Sequence, residues 1–422
     1  MRDLSIKING FSLKNHLDTL AQIGAAKDGG VTRLALSDED NLARQQLVFW
    51  MNELGMDVRI DQVGNIFGIR PGRINSPPVM LGSHIDTVIG AGRLDGCYGV
   101  LAGLECVRTL NEKKIETSRP IVVAAFTNEE GVRFQPGMLG SSVHVGILPV
   151  KEALDVVGID GSVFGNELER IGFAGPMACG EIRPFSYIEL HIEQGPILDQ
   201  ERIPLGVVDG VVGISWWKVS ITGSANHAGT TPIKLRHDAG LSAAKMITFI
   251  REIAISLGGN QRATCGTIIF HPNAINVIPG EAAISVDLRN NDENKLAEAE
   301  RMLDEYARMV AQEDGVTVDL KRLEKVSAVQ FDEKIVSVLE KTADALGIRF
   351  RRMVSGAGHD AQLMAGICPA AMIFVPSLNG ISHSPRESTG LESLELGTNI
   401  LLQTILEILD ISDGDWVDIE HS

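Results

Sequence analysis

The chain has 422 residues, 44% of them hydrophobic and 22% charged, with a formal net charge of −17. That composition belongs to a globular protein, and the length exceeds what one core usually serves, so two domains are expected. The acidic balance disfavours nucleic acid, which selects a basic footprint, but leaves an anionic small molecule open, because a few local cations override the mean.

In chain order, residues 12–26 and 37–54 read as helices; Ser37 can cap the second, with Glu39 and Asp40 in its first turn, where carboxylates suit the helix dipole. Residues 57–70 read as two short strands around Gly64 and Asn65. A strand over 78–83 leads into GSHIDTVIGAGRLDG, residues 82–96. Leu101, Leu104, Val107 and Leu110 recur near helical spacing and predict a helix over 100–110. IVVAAF, residues 121–126, is continuously apolar, as a strand buried on both faces of a parallel sheet is, and it ends in TNEEGVRF. A further strand, 187–192, ends in HIEQG. Alternating strands and helices argue an α/β domain with mostly parallel strands, whose ligands sit beyond the strand ends.

Near residue 214 the texture changes. Trp217, Val219 and Ile221 alternate with Lys218, Ser220 and Thr222, the pattern of a half-exposed strand. A helix over 238–257 follows, with Ile247, Ile250, Ala254 and Leu257 on one face, then strands at 263–270 and 281–289. A second helix, 292–312, places Leu296, Ala299, Leu303, Tyr306 and Val310 on one stripe, and a strand covers 315–322. The order β-α-β-β-α-β is that of a ferredoxin-like α+β unit. We therefore expect an inserted domain over 214–326 within a larger domain formed by 1–213 and 327–422, the latter resuming with a helix at 333–346, a strand at 371–375 and a helix at 391–410. Trp216 and Trp217 read as core and edge of the inserted sheet, and the acidic stretch 413–420 as a solvated end.

The chemistry concentrates at strand ends. His84 and Asp86 lie two apart on an extended segment and point to one side, so Asp86 can accept a hydrogen bond from one imidazole nitrogen while the other faces a metal. Asp95, between Leu94 and Gly96, can be shared by two ions. With Glu130, His191 and His383 these make three imidazoles and two carboxylates, a set suited to two divalent ions of zinc, manganese, cobalt or nickel. Such a pair can share a water, lower its pKa and polarise a carbonyl. Glu129, next to a ligand, is left as general base. Each residue taken singly has a plainer reading: Glu129 and Glu130 as a helix cap, His191 as a core histidine, His383 as part of a Ser/Pro loop. Arg289 ends a strand on the face opposite Ile284, Val286 and Leu288; it suits a bidentate grip on a carboxylate and equally a surface ion pair. Five cysteines, Cys97, Cys106, Cys179, Cys265 and Cys368, form no CxxC pair, which fits a reducing, cytoplasmic setting. The N-terminal MRDLSIKING lacks the apolar core of a signal peptide, and no apolar run approaches the ~20 residues of a membrane span.

The motifs GSHIDT, GRLDG, TNEEGVRF, ELHIEQG, NHAGTTP, GAGHDAQ and SHSPRE, in that order, resemble the M20 metallopeptidase clan, and more narrowly its amidase/carbamoylase branch. That branch includes N-carbamoyl-L-amino-acid hydrolases, allantoate amidohydrolases and a β-ureidopropionase group. The resemblance implies a binuclear site on His84, Asp95, Glu130, His191 and His383, with Glu129 as base and a homodimer formed through the inserted domain. Peptidase branches usually carry an acidic residue where His191 stands, so the resemblance favours an amidase. For a ureido acid substrate, Arg289 could grip the carboxylate with Asn276 bonding the same ligand, Gln194 could read the ureido amide, and the backbone amides of Gly356–Gly358 could hold an anion; the plainer readings are turn chemistry for Asn276 and a tight loop for the glycines. The resemblance further implies that His227 reaches the site of a partner subunit, where it could stabilise the oxyanion. His359 and Asp360 stay open. The expected reaction is hydrolysis of an N-carbamoyl-L-amino acid to the amino acid, ammonia and carbon dioxide. The alternatives are allantoate or N-carbamoyl-β-alanine as substrate, a peptidase or aminoacylase, and a catalytically silent binding protein.

Overall fold

The computed structural model describes residues 3–410. The chain divides into two compact units: one runs to Asp209 and resumes at Phe331, the other is Gly210–Gln330. The acidic stretch 413–420 lies outside the described residues.

The first unit opens with α1 (Gly10–Ala21) and α2 (Asp38–Glu53). Helix α1 starts earlier than its apolar pattern suggests because Asn9 caps it, its side chain accepting from Phe11 N and Ser12 N; it ends before Gly24, whose φ is 87°. Ser37 caps α2 by accepting the Asp40 amide at 3.2 Å. The strands β1 (Asp57–Ile60), β2 (Ile66–Arg70) and β3 (Val79–His84) follow. Next come α3 (Cys97–Glu112), buried along almost its whole length, and β4 (Ile121–Phe126). Three helices that the sequence pattern does not announce, α4 (Leu139–His144), α5 (Val150–Leu154) and α6 (Phe164–Ile171), precede β5 (Ser186–Ile192). They span eight residues or fewer, too short for a 3.6-residue period to declare itself. The unit continues with α7 (Ile197–Glu201) and β6 (Leu205–Val211), whose last two residues belong to the second unit.

The second unit contains β7 (Gly213–Thr222), β8 (Asn226–His227), α8 (Ala239–Leu257), β9 (Arg262–Thr264), β10 (Ile268–His271), β11 (Val277–Ile278), β12 (Glu281–Asn290), α9 (Glu293–Asp314), β13 (Thr317–Val326) and β14 (Val329–Gln330). Its main sheet has the order β10-β12-β7-β13, with β9 also on β12, while β8 and β11 pair separately. The strand expected over 263–270 is broken at 265–267, where the Ser285 hydroxyl takes the Thr267 amide at 3.0 Å. Helix α8 turns a different face inward from the one its leucines and isoleucines suggest: Ala243, Met246, Ile250 and Ile253 are buried, whereas Ile247 and Leu257 are only partly so. Small and flexible side chains let the helix sit close to the sheet. Helix α9 buries Leu296, Ala299, Leu303 and Val310 as expected, with Ala307 in place of Tyr306, whose ring stacks 3.8 Å from Phe249 at the edge of the core. Trp217 is half-buried under Arg322, 4.7 Å from the ring, and Trp216 is exposed.

The first unit resumes with α10 (Glu333–Ala345), β15 (Phe350–Ser355), α11 (Asp360–Met364), β16 (Ala370–Val375) and α12 (Leu391–Asp410). Its sheet runs β1-β2-β4-β3-β5-β16-β6, with β15 also on β6. Pairing is parallel across β4-β3-β5-β16 and antiparallel at β1-β2, β2-β4 and β16-β6. The four parallel strands are buried throughout. They end on one edge, so the segments that leave their C-terminal ends converge there.

Candidate metal centre

Register places the first two histidines. Val79 pairs with Ser186 and Leu81 with Ile188, so continuing three residues sets His84 level with His191; their rings are 6.3 Å apart. Each ring directs Nδ1 to a main-chain carbonyl, His84 to Asp86 O at 3.0 Å and His191 to Ile192 O at 2.8 Å. The carbonyls accept, so Nδ1 carries the proton in the neutral rings and the Nε2 lone pairs face the site. Between the rings stands Asp95. Its Oδ1 lies 3.7 Å from His84 Nε2 and 3.1 Å from His191 Nε2, and its Oδ2 lies 3.1 Å from His383 Nε2. His383 Nε2 is in turn 3.7 Å from Glu130 Oε2. Two triads result, His84-Asp95-His191 and Asp95-Glu130-His383, each with ligand atoms within 4.8 Å of one another. Glu129 Oε2 is 3.5 Å from His84 Nε2. His84, Asp95 and His191 are buried, and Glu129 and Glu130 are partly buried, whereas His383, its side chain 51% exposed, marks the open side.

The turn over 127–131 that carries Glu129 and Glu130 follows β4. Asn128 takes a left-handed conformation (φ 58°) and its side-chain amide donates to Phe134 O at 2.8 Å. Asp86 corrects the sequence reading. Its carboxylate is 3.9 Å from His84 Nδ1, beyond a hydrogen bond, and instead accepts the amides of Glu129 at 3.2 Å and Glu130 at 3.3 Å. The ring is held by the main-chain oxygen of Asp86 because the chain bends after β3. Asp86 therefore fixes the turn that presents both glutamates. Arg33, fully buried, braces the same bend: its Nε donates to Ile85 O at 2.7 Å and its amide to Thr87 Oγ1 at 2.9 Å. Gln194 (φ 56°) donates from Nε2 to Asp95 Oδ2 at 2.8 Å, and its Oε1 is buried without a hydrogen-bond partner.

Charge in the site is one-sided. Burial, then the charges of Asp360, Glu130, Asp86 and Asp95, hold the Glu129 carboxyl well above its ordinary range. Burial and Asp95 push Glu130 up to about 8, and burial and Asp40 push Asp86 up to about 7. Burial lowers His84 to about 4. Burial also opposes charge on His191, but its hydrogen bond to Asp95 outweighs that and carries the ring up to about 9. Hydrogen bonds from His191 and His383 outweigh burial at Asp95 and hold it well below the usual carboxylate range. Four clustered carboxylates, lone pairs of two imidazoles aimed inward and the buried, unpartnered Glu130 Oε1 fit a divalent metal, which would take the place of the protons on the histidines.

A third group, Glu189, His191 and His359, does not make another centre. Glu189 is occupied by Ser83 Oγ at 2.6 Å, Tyr187 Oη at 3.3 Å and the Ala361 amide at 2.8 Å. His359 bonds Ser355 Oγ at 2.9 Å beside the His191 ring, and Asp360 accepts from Ser141 Oγ at 2.5 Å, so both are wall and support. Gly358 leads into α11, a five-residue helix too short for a dipole-based anion site.

His227, Asn276 and Arg289 belong to the second unit. The amides of Gly229 and Thr230 donate to His227 Nδ1 at 3.0 and 3.2 Å, which leaves the proton on exposed Nε2. Asn276 is its neighbour, since Val277 pairs with His227 and Asn276 O accepts the Ala228 amide. Arg289 lies near the far end of β12 from this pair and grips Asp287 through Nε and a terminal nitrogen at 2.9–3.1 Å. Eight residues at ~3.3 Å each separate Arg289 from Glu281, roughly 26 Å. Arg289 therefore stands well along β12 from the end that pairs with Thr222.

Arg33 lies outside the quoted motifs, and Glu387, the last residue of SHSPRE, had no role assigned to it; a charged side chain is visible in the sequence, but its burial is not.

The sequence profile of peptidase family M20/M25/M40 matches residues 80–407. An N-carbamoyl-L-amino-acid amidohydrolase of Rhizobium meliloti is 36% identical over 96% of this chain and 98% of its own. An allantoate amidohydrolase of Bacillus subtilis is 33% identical over 94% of this chain and 97% of its own. A crystal structure of a hydantoinase/carbamoylase family amidase from Burkholderia multivorans superposes with a TM-score of 0.93 at 42% identity, covering 96% of this chain and 98% of that one. By that match over residues 80–407, the chain belongs to the peptidase family M20/M25/M40.

Proposed function

We propose that this protein hydrolyses the linear C–N bond of N-carbamoyl-L-amino acids, releasing the amino acid, ammonia and carbon dioxide. The observation that carries the reading is the pair of triads sharing Asp95, with Glu129 beside them. The names and full-length similarity of the relatives support the substrate class. His84, Asp95 and His191 would hold one divalent ion, and Asp95, Glu130 and His383 a second, of zinc, manganese, cobalt or nickel. Bound there, such ions supply an acidified water and a polarised carbonyl.

The chain's own residues do the rest. Glu129, beside His84 Nε2, takes a proton from the attacking water and delivers it to the leaving nitrogen. The unpartnered Gln194 Oε1 accepts an N–H of the ureido group. His227 Nε2–H donates to the developing oxyanion, and Arg289, released from Asp287, grips the substrate carboxylate. Arg289 standing well along β12 from Glu281 favours Asn276 and Arg289 meeting one substrate from different chains, which supports a homodimer. Exposed Leu241, Ile255, Ile268 and Ile269 on the second unit support that unit as a ferredoxin-like dimerisation and lid domain. No described helix is long and apolar enough to cross a membrane; the five unpaired cysteines support a cytoplasmic setting.

The test is a panel of N-carbamoyl-L-amino acids, allantoate, N-carbamoyl-β-alanine and a dipeptide, offered to metal-loaded protein. N-carbamoyl-L-amino acids should turn over fastest, and Glu129→Gln should lower kcat by about 10²–10⁴-fold. Preference for allantoate, favoured by the Bacillus subtilis relative, would replace the substrate; full turnover by Glu129→Gln would remove the mechanism.

A further inference from the structure

Glu387 stands four residues after His383 and is 7% exposed. Among the described residues no lysine or arginine pairs with it. Its two oxygens face two loops that are far apart in the chain. Oε1 accepts the amides of Leu94 at 2.9 Å and Asp95 at 3.3 Å; Oε2 accepts the Ser382 hydroxyl at 2.8 Å. One loop leads into α3 and carries Asp95, the other follows β16 and carries His383. Ser382 Oγ is also 3.4 Å from Asp95 Oδ2, so the three groups close on one another. The loop of His383 most needs such a tie: the residue is half-exposed and its φ is 51°. Room for the carboxylate comes from Gly92, where a Cβ would stand 2.1 Å from Glu387 Oε1 and 2.2 Å from Cδ.

We propose that Glu387 is a positioning residue of the metal centre, tying the Asp95 loop to the His383 loop and thereby setting affinity for the ion between Asp95, Glu130 and His383. This rests on the reading of those three residues as ligands. Outer groups that orient ligands typically change metal affinity 10–100-fold when lost. The full-length protein, stripped by a chelator, is titrated with zinc ions alone and manganese ions alone against a chromogenic competitor, and the thermal midpoint of each stripped protein is recorded. Glu387→Ala should weaken the second of two bound ions about 10–100-fold with the midpoint little changed. Glu387→Gln should stay within a few-fold of wild type, because its amide oxygen accepts the two N–H groups and Ser382 can turn to accept from its nitrogen. Unchanged affinity in Glu387→Ala, or a loss in Glu387→Gln as large as in Glu387→Ala, overturns the proposal. Should Glu387→Ala fail to fold, Gly92→Ala displaces the same carboxylate without removing it and should weaken the same ion; unchanged affinity there also overturns it. Wild-type protein that takes up no ion would instead overturn the ligand assignment, and the substrate panel has no part in this readout.

Discussion

Gly96→Ala puts the packing of the centre to a direct test. Gly96 precedes α3 with φ 63° and ψ −49°, a conformation that costs an L-residue about 1–3 kcal/mol. A Cβ there would lie 2.4 Å from His84 Nε2 and 2.5 Å from Cδ2 and Cε1, against an ordinary contact of 3.4–4 Å. The methyl group would meet the ring at the nitrogen that faces the site, so the ring must retreat by about 1 Å. The same residue donates its amide to His191 Nε2 at 3.1 Å, so both histidines of one triad respond. Since losing a mere supporting group costs 10–100-fold in metal affinity, displacing the ligand itself should cost at least about that much. Chelator competition on stripped protein measures the affinity, and urea unfolding of the metal-free protein isolates the backbone strain. The expected result is a weakened first ion with a metal-free stability loss of about 1–3 kcal/mol. Metal affinity equal to wild type would refute the argument, for it would mean that the ring has space which the 2.4 Å approach denies.

Asp86→Ala should leave two buried amides unbonded, at about 1–3 kcal/mol each, and should loosen the turn of Glu129 and Glu130. Metal titration and kcat should then show the ion at Glu130 weakened more than the ion at His84; the reverse order would restore a direct bond from Asp86 to the imidazole. His144 offers a pH test away from the metal. Burial lowers it to about 4, only partly offset by the backbone of Ile182, and its ring packs 5.3 Å from Phe67 and 5.7 Å from Phe126. Its folded pKa is depressed, so the folded state binds fewer protons than the unfolded, and stability falls as pH drops from the unfolded value of about 6.5 toward about 4. Between pH 7.5 and 5 the wild type should lose about 2 kcal/mol more than His144→Phe in urea unfolding; equal slopes would refute it.

Much of the centre was legible because its residues fall at strand ends. IVVAAF reads as a strand buried on both faces, and a parallel sheet sends whatever follows such strands to one edge; that is enough to bring His84, Glu130, His191 and His383 together. Their chemical types say the rest, since imidazoles and carboxylates in one place suit a divalent cation. The role of Asp86 was not legible. A two-residue spacing places side chains on one side only while the chain stays extended, and here it bends after His84, so the carboxylate reaches two amides from another strand's turn. Nor could a linear pattern set Asn276 beside His227: that neighbourhood follows from β11 pairing with β8.

Residue type and periodicity thus determined the classes of element, the two-part chain and the set of candidate ligands, because these depend on local burial and on which atoms can bind a metal. Which hydrogen bond each polar side chain makes was decided by tertiary structure alone. Asp86, Arg33 and Glu387 are bonded to backbone groups 43 to 293 residues away or brought near by a bend, and such partners exist only once the strands have been set in register.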